Sequence, residues 1–92
     1  MKKKILWDES KNQLLKDQRG VSFEDMLQAI EEGGILNIYK HPNSEKYPNQ
    51  KMVEVLFKKY VWVVPFVENE EEIFFKTAFP SRKATKKSRN KP

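Results

Sequence analysis

The chain has 92 residues, no cysteine and one histidine, and carries a formal net charge of +5. That length supports one domain with one modest core. It excludes a disulfide framework and a thiolate metal site, and no run of about 18 apolar residues is present to span a membrane. The charge is unevenly placed. Residues 1–79 hold twelve Lys/Arg against thirteen Asp/Glu, whereas residues 80–92 hold six Lys/Arg and no acid. A near-neutral body with a cationic end suits a binder of a phosphate backbone, because clustered cations release condensed counterions. The same run also suits a solvated tail.

Lys3 to Trp7 reads as a short strand. The basic start Met1–Lys4 is followed only by Ile5-Leu6-Trp7 before Asp8, shorter than the apolar core of about 7–15 residues in a signal peptide. Asp8 suits an N-cap, with Glu9 in the first turn of a helix running to about Asp17. Leu14 and Leu15 are its apolar anchors, and Gly20 ends it with positive φ. Ser22 and Asp25 then make a short capping box, with Val21 and Met26 at the staple positions. Phe23, Met26, Leu27 and Ile30 share one helical face, and Gly33-Gly34 stops this second helix.

Ile35 to Lys40 alternates and predicts a strand; His41-Pro42-Asn43-Ser44 and Tyr47-Pro48-Asn49 form the loop after it. Lys51 to Phe57 alternates again, with Val53, Val55 and Phe57 on one face. Lys58-Lys59 is the expected hairpin turn. Tyr60 to Val67 is apolar on both faces, as a central strand should be, although Pro65 lacks a ladder donor, so a bulge or an end of pairing is expected there. Glu68 to Glu72 turns the chain, and Ile73 to Phe79 is the last long strand. The expectation is an α+β fold of order β-α-α-β-β-β-β. It comprises an antiparallel meander sheet with two N-terminal helices on one face, leaving the other face free. Residues 1–79 form the single domain. Residues 80–92 form a basic C-terminal segment, read either as a partly disordered tail or as carrying a short helix from Arg82 onward.

Several motifs carry a family resemblance. Trp7-Asp8, Lys11-Asn12 and Arg19-Gly20-Val21-Ser22-Phe23-Glu24 resemble the opening of the BrnT toxin family. Ser81-Arg82-Lys83-Ala84-Thr85 resembles its closing Ser-Ala-Arg-x-Ala-Thr segment. The similarity covers nearly all of residues 4–87. Three features depart from the pattern: Arg19 stands where the family has His; Ser81 and Arg82 are adjacent where the family has Ala between Ser and Arg, or Pro80-Ser81 fills that pair with a shift of one; and Lys51 stands where a family Glu-x-Arg segment places Arg. The resemblance implies a RelE-like fold and a cytoplasmic, metal-independent ribonuclease that halts translation. It also implies a ribbon-helix-helix antitoxin as partner, with operator DNA bound only through the complex.

Metal-independent RNA cleavage uses the neighbouring 2′-hydroxyl as nucleophile. It needs a base, an acid and cations for the charge developing on phosphorus, and the last is usually the largest contribution. Arg82 is the first candidate for the phosphate clamp, since a guanidinium forks two oxygens; its plain role is a surface cation pairing with Glu70–Glu72. Ser81 either donates to phosphate or caps a terminal helix. His41 is the one side chain with an ordinary pKa near neutrality and so the candidate acid or base; its plain role is an idle turn residue. Lys51 is a candidate phosphate contact. Lys76, Lys83, Lys86, Lys87 and Arg89 are candidates for RNA binding. Neither a cofactor nor a metal is expected, because there is no glycine-rich phosphate loop and Glu68–Glu72 lack the spacing of a calcium loop. A non-catalytic nucleic-acid-binding or antitoxin-partner module is the alternative.

Overall fold

A computed structural model describes residues 3–89. The order is β1 (Lys4–Trp7), α1 (Glu9–Arg19), α2 (Phe23–Glu31), β2 (Ile35–Lys40), β3 (Gln50–Phe57), β4 (Tyr60–Glu68), β5 (Glu72–Phe75), β6 (Phe79–Pro80) and α3 (Arg82–Arg89). The expected α+β class is present, but the sheet is mixed and not an antiparallel meander. Its order is β1-β5-β4-β3-β2, with β6 also paired to β4. β1 joins β5 in parallel, with Trp7 beside Phe75, whereas β2, β3, β4 and β5 pair antiparallel in sequence. This parallel register brings the ring of Trp7 to 5.6 Å from that of Phe23 and 6.2 Å from that of Phe75. Such aromatic contacts add to area burial.

The helix ends follow from local chemistry. Asp8 accepts the Ser10 and Lys11 N–H groups, and Gly20 takes φ +69 and closes α1 onto Lys16. Ser22 and Asp25 make the reciprocal capping box of α2. Gly34 admits no side chain: an added Cβ would lie 2.8 Å from the Ala29 carbonyl oxygen and 3.0 Å from that of Leu56. The backbone there passes between α2 and β3, and Leu56 N–H donates to Gly34 O at 2.8 Å.

α1 and α2 cover one face of the sheet, where Val53, Val55, Trp62, Val64, Phe66, Ile73 and Phe75 meet Leu15, Phe23, Met26 and Ala29. Of the two expected anchors of α1, Leu15 is buried and Leu14 is exposed. The second inward position is Asn12, fully buried. Its carbonyl accepts the Phe23 N–H at 2.7 Å and its amide donates to Glu24 at 2.7 Å. Asn12 thus ties α1 to the first turn of α2, where the Phe23 N–H would otherwise need a partner.

The expected last strand, Ile73 to Phe79, is interrupted. β5 stops pairing with β4 at Phe75, and pairing resumes at Phe79 opposite Val63. Between them Lys76 N–H donates to the Pro65 carbonyl at 2.8 Å. In an extended strand the N–H and C=O of one residue point to the same side, so the donor that proline lacks faces this interruption. The second face of the sheet, expected from the sequence to be free, is in fact partly covered. Met52, Val61 and Val63 are buried on it, and α3 packs against β4. Among the described residues no helix is long and apolar enough to cross a membrane. Residues 90–92, which include Lys91 of the basic segment, lie outside the described residues, as do Met1 and Lys2.

Candidate nucleic-acid interface

α3 is short and built from cations, so its position depends on how it is fastened. Ser81 caps it: the hydroxyl accepts the Ala84 N–H at 3.0 Å, and the Ser81 N–H donates to Val61 O at 2.9 Å. One turn on, Thr85 is buried. Its hydroxyl donates to the Ser81 carbonyl at 2.7 Å and accepts the Val61 N–H at 2.8 Å. Ser81 and Thr85 together hold the helix against the start of β4, and the Ser81 hydroxyl is committed to that cap. At the far end Arg89 Nη2 donates to the Lys59 carbonyl at 3.3 Å.

This last contact joins α3 to the β3–β4 turn. Lys58 and Lys59 both take left-handed backbone, at φ +51 and +68, as a two-residue hairpin of the primed type requires. Asn and Gly are the usual residues there. Two lysines in that geometry add two exposed cations to the turn that Arg89 contacts. Arg82, Lys83, Lys86, Lys87 and Arg89 are all exposed. Among the described residues the only ion pairs within 4.0 Å are Lys3–Glu68 and Lys51–Glu68, so none of these seven cations is in one. Lys58 and Lys59 were not among the sequence candidates. Their link to α3 depends on the docking of Arg89, about thirty positions away.

Between α3 and the outer half of the sheet lies a cleft of about 220 Å³, lined by Leu36, Asn37, Glu54, Ala84, Lys87 and Ser88. Glu54 faces it because β3 alternates: Val53 and Val55 point into the helical core and Glu54 points to the other side. Tyr39 lies on this face, since it is opposite Met52 in the same register that sets Asn37 opposite Glu54. Burial first, and the neighbouring Glu54 carboxylate second, raise the Tyr39 phenol above its ordinary value of 10.0.

The other sequence candidates sit elsewhere. Lys51 is opposite Phe66, and Ser81 bonds Val61. These positions are five residues apart along β4, or roughly 16 Å at the rise of a strand. Lys51 donates to Glu68 at 2.8 Å, and Lys3 to the other oxygen of that carboxylate at 3.0 Å. These two partners, Lys51 first, hold the Glu68 carboxyl below its ordinary value of 4.5. His41 belongs to the same end. Its Nδ1 accepts the Asn43 N–H at 3.0 Å, and its ring lies 4.4 Å from that of Tyr47. The hydrogen bond fixes Nε2 as the free nitrogen of this loop. His41 and Lys51 therefore do not share a site with Ser81 and Arg82. Lys76 is exposed past the end of β5, with its ammonium 5.6 Å from the Phe74 ring centre.

The α3 end can hold a chain of phosphates by charge, with the cleft beside it offering hydrogen-bond acceptors. The His41 end has its cations balanced by carboxylates: Lys3, Lys40 and Lys51 share a hollow of about 370 Å³ with Glu68 and Glu70. No family model, no curated protein and no solved structure matches this chain.

Proposed function

We propose that the protein is an RNA-directed toxin of a type II toxin–antitoxin pair, a metal-independent ribonuclease with a RelE-like arrangement. On this reading RNA lies along α3 and the β3–β4 turn. The observation that carries it is the group of seven cations, on two elements bonded to each other, with no carboxylate among the described residues paired to any of them. Exposed cations that have no acid partner in the fold are available to phosphate, and neutralising several phosphates supplies most of the affinity of a backbone binder. Arg82 holds the clamp role, at the first position of α3 where the helix dipole also favours an anion. The resemblance of Ser81-Arg82-Lys83-Ala84-Thr85 to the closing segment of BrnT toxins supplies the cleavage reaction and the ribbon-helix-helix antitoxin. A partner of that kind has a sheet edge to use: among the described residues β2 pairs on one side only, and Ile35, Leu36 and Ile38 are exposed along it.

The second reading, a non-catalytic nucleic-acid binder, has its own support. The one histidine lies at the opposite end of β4, and the Ser81 hydroxyl is taken by the helix cap. Incubating purified protein with RNA in EDTA separates the two. The toxin reading expects cleavage, and a loss of about 10²–10³ in rate for Arg82→Ala with unchanged circular dichroism. Salt-sensitive binding without cleavage leaves the second reading. Cleavage indifferent to Arg82→Ala removes the clamp.

A further inference from the structure

A carboxylate beside a cationic face is costly for a phosphate binder unless it has a task. Glu54 lies in the cleft alongside α3, is only half-exposed, and makes no ion pair with the described residues, although Lys87 lines the same cleft. Asn37 is its partner across the β2–β3 ladder. Leu36 and Ala84 give the cleft apolar walls, and Lys87 and Ser88 close its helical side. A mixed slot, with Leu36 and Ala84 as apolar contacts and Glu54 as its one carboxylate, next to a row of cations unpaired among the described residues, has the chemistry of a pocket for an unstacked base whose phosphates are held outside. Single-stranded RNA is recognised in this way, by hydrogen bonds to exposed base edges.

The acceptor decides which base. A carboxylate accepts hydrogen bonds and donates none. Guanine presents N1–H and the N2 amino group side by side, matching the two carboxylate oxygens. Uracil and adenine offer no such adjacent pair of donors, and cytosine offers only its N4 amino group. We infer that the cleft between α3 and the β2–β3 ladder is a base-recognition site in which Glu54 selects guanine in single-stranded RNA. This rests on α3 being an RNA surface, and deepens that reading by naming the base and the residue that reads it. Lys87 serves the adjoining phosphate.

The test uses 2′-O-methyl oligonucleotides, which lack the nucleophilic hydroxyl and so cannot be cleaved. An oligouridine, the same strand with one central guanosine, and the same strand with one central inosine are titrated against the full chain by fluorescence anisotropy. The guanosine strand is expected to bind about tenfold more tightly than oligouridine, with inosine, which lacks the N2 amino group, in between. Glu54→Gln removes the preference while oligouridine binding holds or tightens, because a negative charge is lost. Lys87→Ala weakens all three strands alike. Equal binding of the guanosine and uridine strands by the unaltered protein overturns the inference and leaves the RNA surface standing. So does a guanosine preference that survives Glu54→Gln. Binding of none of the strands removes the RNA surface itself, and the base pocket with it.

Discussion

The Thr85 hydroxyl accepts the Val61 backbone N–H at 2.8 Å while it donates to the Ser81 carbonyl at 2.7 Å. This one side chain bridges the start of β4 and the first turn of α3, two segments 24 positions apart. Thr85→Val keeps the shape and removes both bonds. It leaves the Val61 N–H without a partner in a buried place, at an expected cost of about 1–3 kcal/mol. Thr85→Ser restores the hydroxyl and recovers most of that loss. Urea unfolding of the two variants measures it. RNA affinity falls in parallel for Thr85→Val if α3 must be docked to present its cations.

Lys58 and Lys59 carry a conformational cost in the left-handed region, about 1–2 kcal/mol for each non-glycine residue. Replacing the pair with Asn-Gly suits the turn, and the thermal midpoint of the double variant is expected to rise. The same change removes two cations from the proposed interface. The slope of log affinity against log salt for single-stranded RNA then drops by about 1.4. A protein made more stable yet poorer at binding separates the two roles; an unchanged salt slope takes the turn out of the interface.

Asn12 is the only polar side chain of α1 that is fully buried, and it serves both Phe23 N–H and Glu24. Asn12→Ala strands the Phe23 amide and is expected to cost about 1–3 kcal/mol. Asn12→Asp still accepts from Phe23 but sets a carboxylate against Glu24, which the asparagine amide now holds below its ordinary value of 4.5. That variant is expected to lose stability at neutral pH and to regain part of it in acid, the reverse of the parent. Chemical denaturation at pH 7 and pH 4 reads the difference.

These residues also show what was legible in the chain. The capping box at Ser22 and Asp25 and the alternation of Ile35 to Lys40 and Lys51 to Phe57 are local signals, and the corresponding elements stand within a residue of where they were expected. The parallel pairing of β1 with β5 left no local trace, because two four-residue strands do not announce their partner. The break after Phe75 follows from a proline on a neighbouring strand and was readable only as an unresolved fault at Pro65. In the sequence Asn12 stands out only through the family resemblance, because burial of its amide depends on α2 folding back over it. Ser81 was readable as a cap, but neither it nor Thr85 was readable as a tether to Val61. Glu54 was visible as an outward residue of an alternating strand. Its meeting with Lys87 and Ser88 needed the docked helix.

Glu68 bridges Lys3 and Lys51, and its carboxyl is held below 4.5 in the folded protein. A depressed carboxyl contributes stability that is present above its unfolded value and lost as pH falls through its folded value. The contribution is therefore full at pH 7 and begins to fade below about pH 4.5. The pairs are partly exposed, so their combined worth is at most about 1 kcal/mol and shrinks in salt. Subtracting the stability of Glu68→Gln from that of the parent at each pH isolates this group from Glu24. The difference is expected to be positive at pH 7 and smaller at pH 3; a constant difference means the lysines do not respond to the charge.

β2 forms an edge of the sheet, and Ile38 on it is 51% exposed. An exposed apolar edge is a template for pairing with another strand, and charged edge residues are the common defence. Here Asn37 and Lys40 are the polar residues of β2 that sit in the open. Ile38 is half-exposed and the lysine stem can still lie over its apolar neighbours, so the unfolding free energy of Ile38→Lys is expected to stay within about 1 kcal/mol of the parent. Its effect belongs to association. Light scattering at raised protein concentration should fall for Ile38→Lys. The conservative Ile38→Val should behave like the parent, because it keeps the edge apolar. Unchanged scattering in the lysine variant assigns self-association to another surface and leaves the edge without a demonstrated partner.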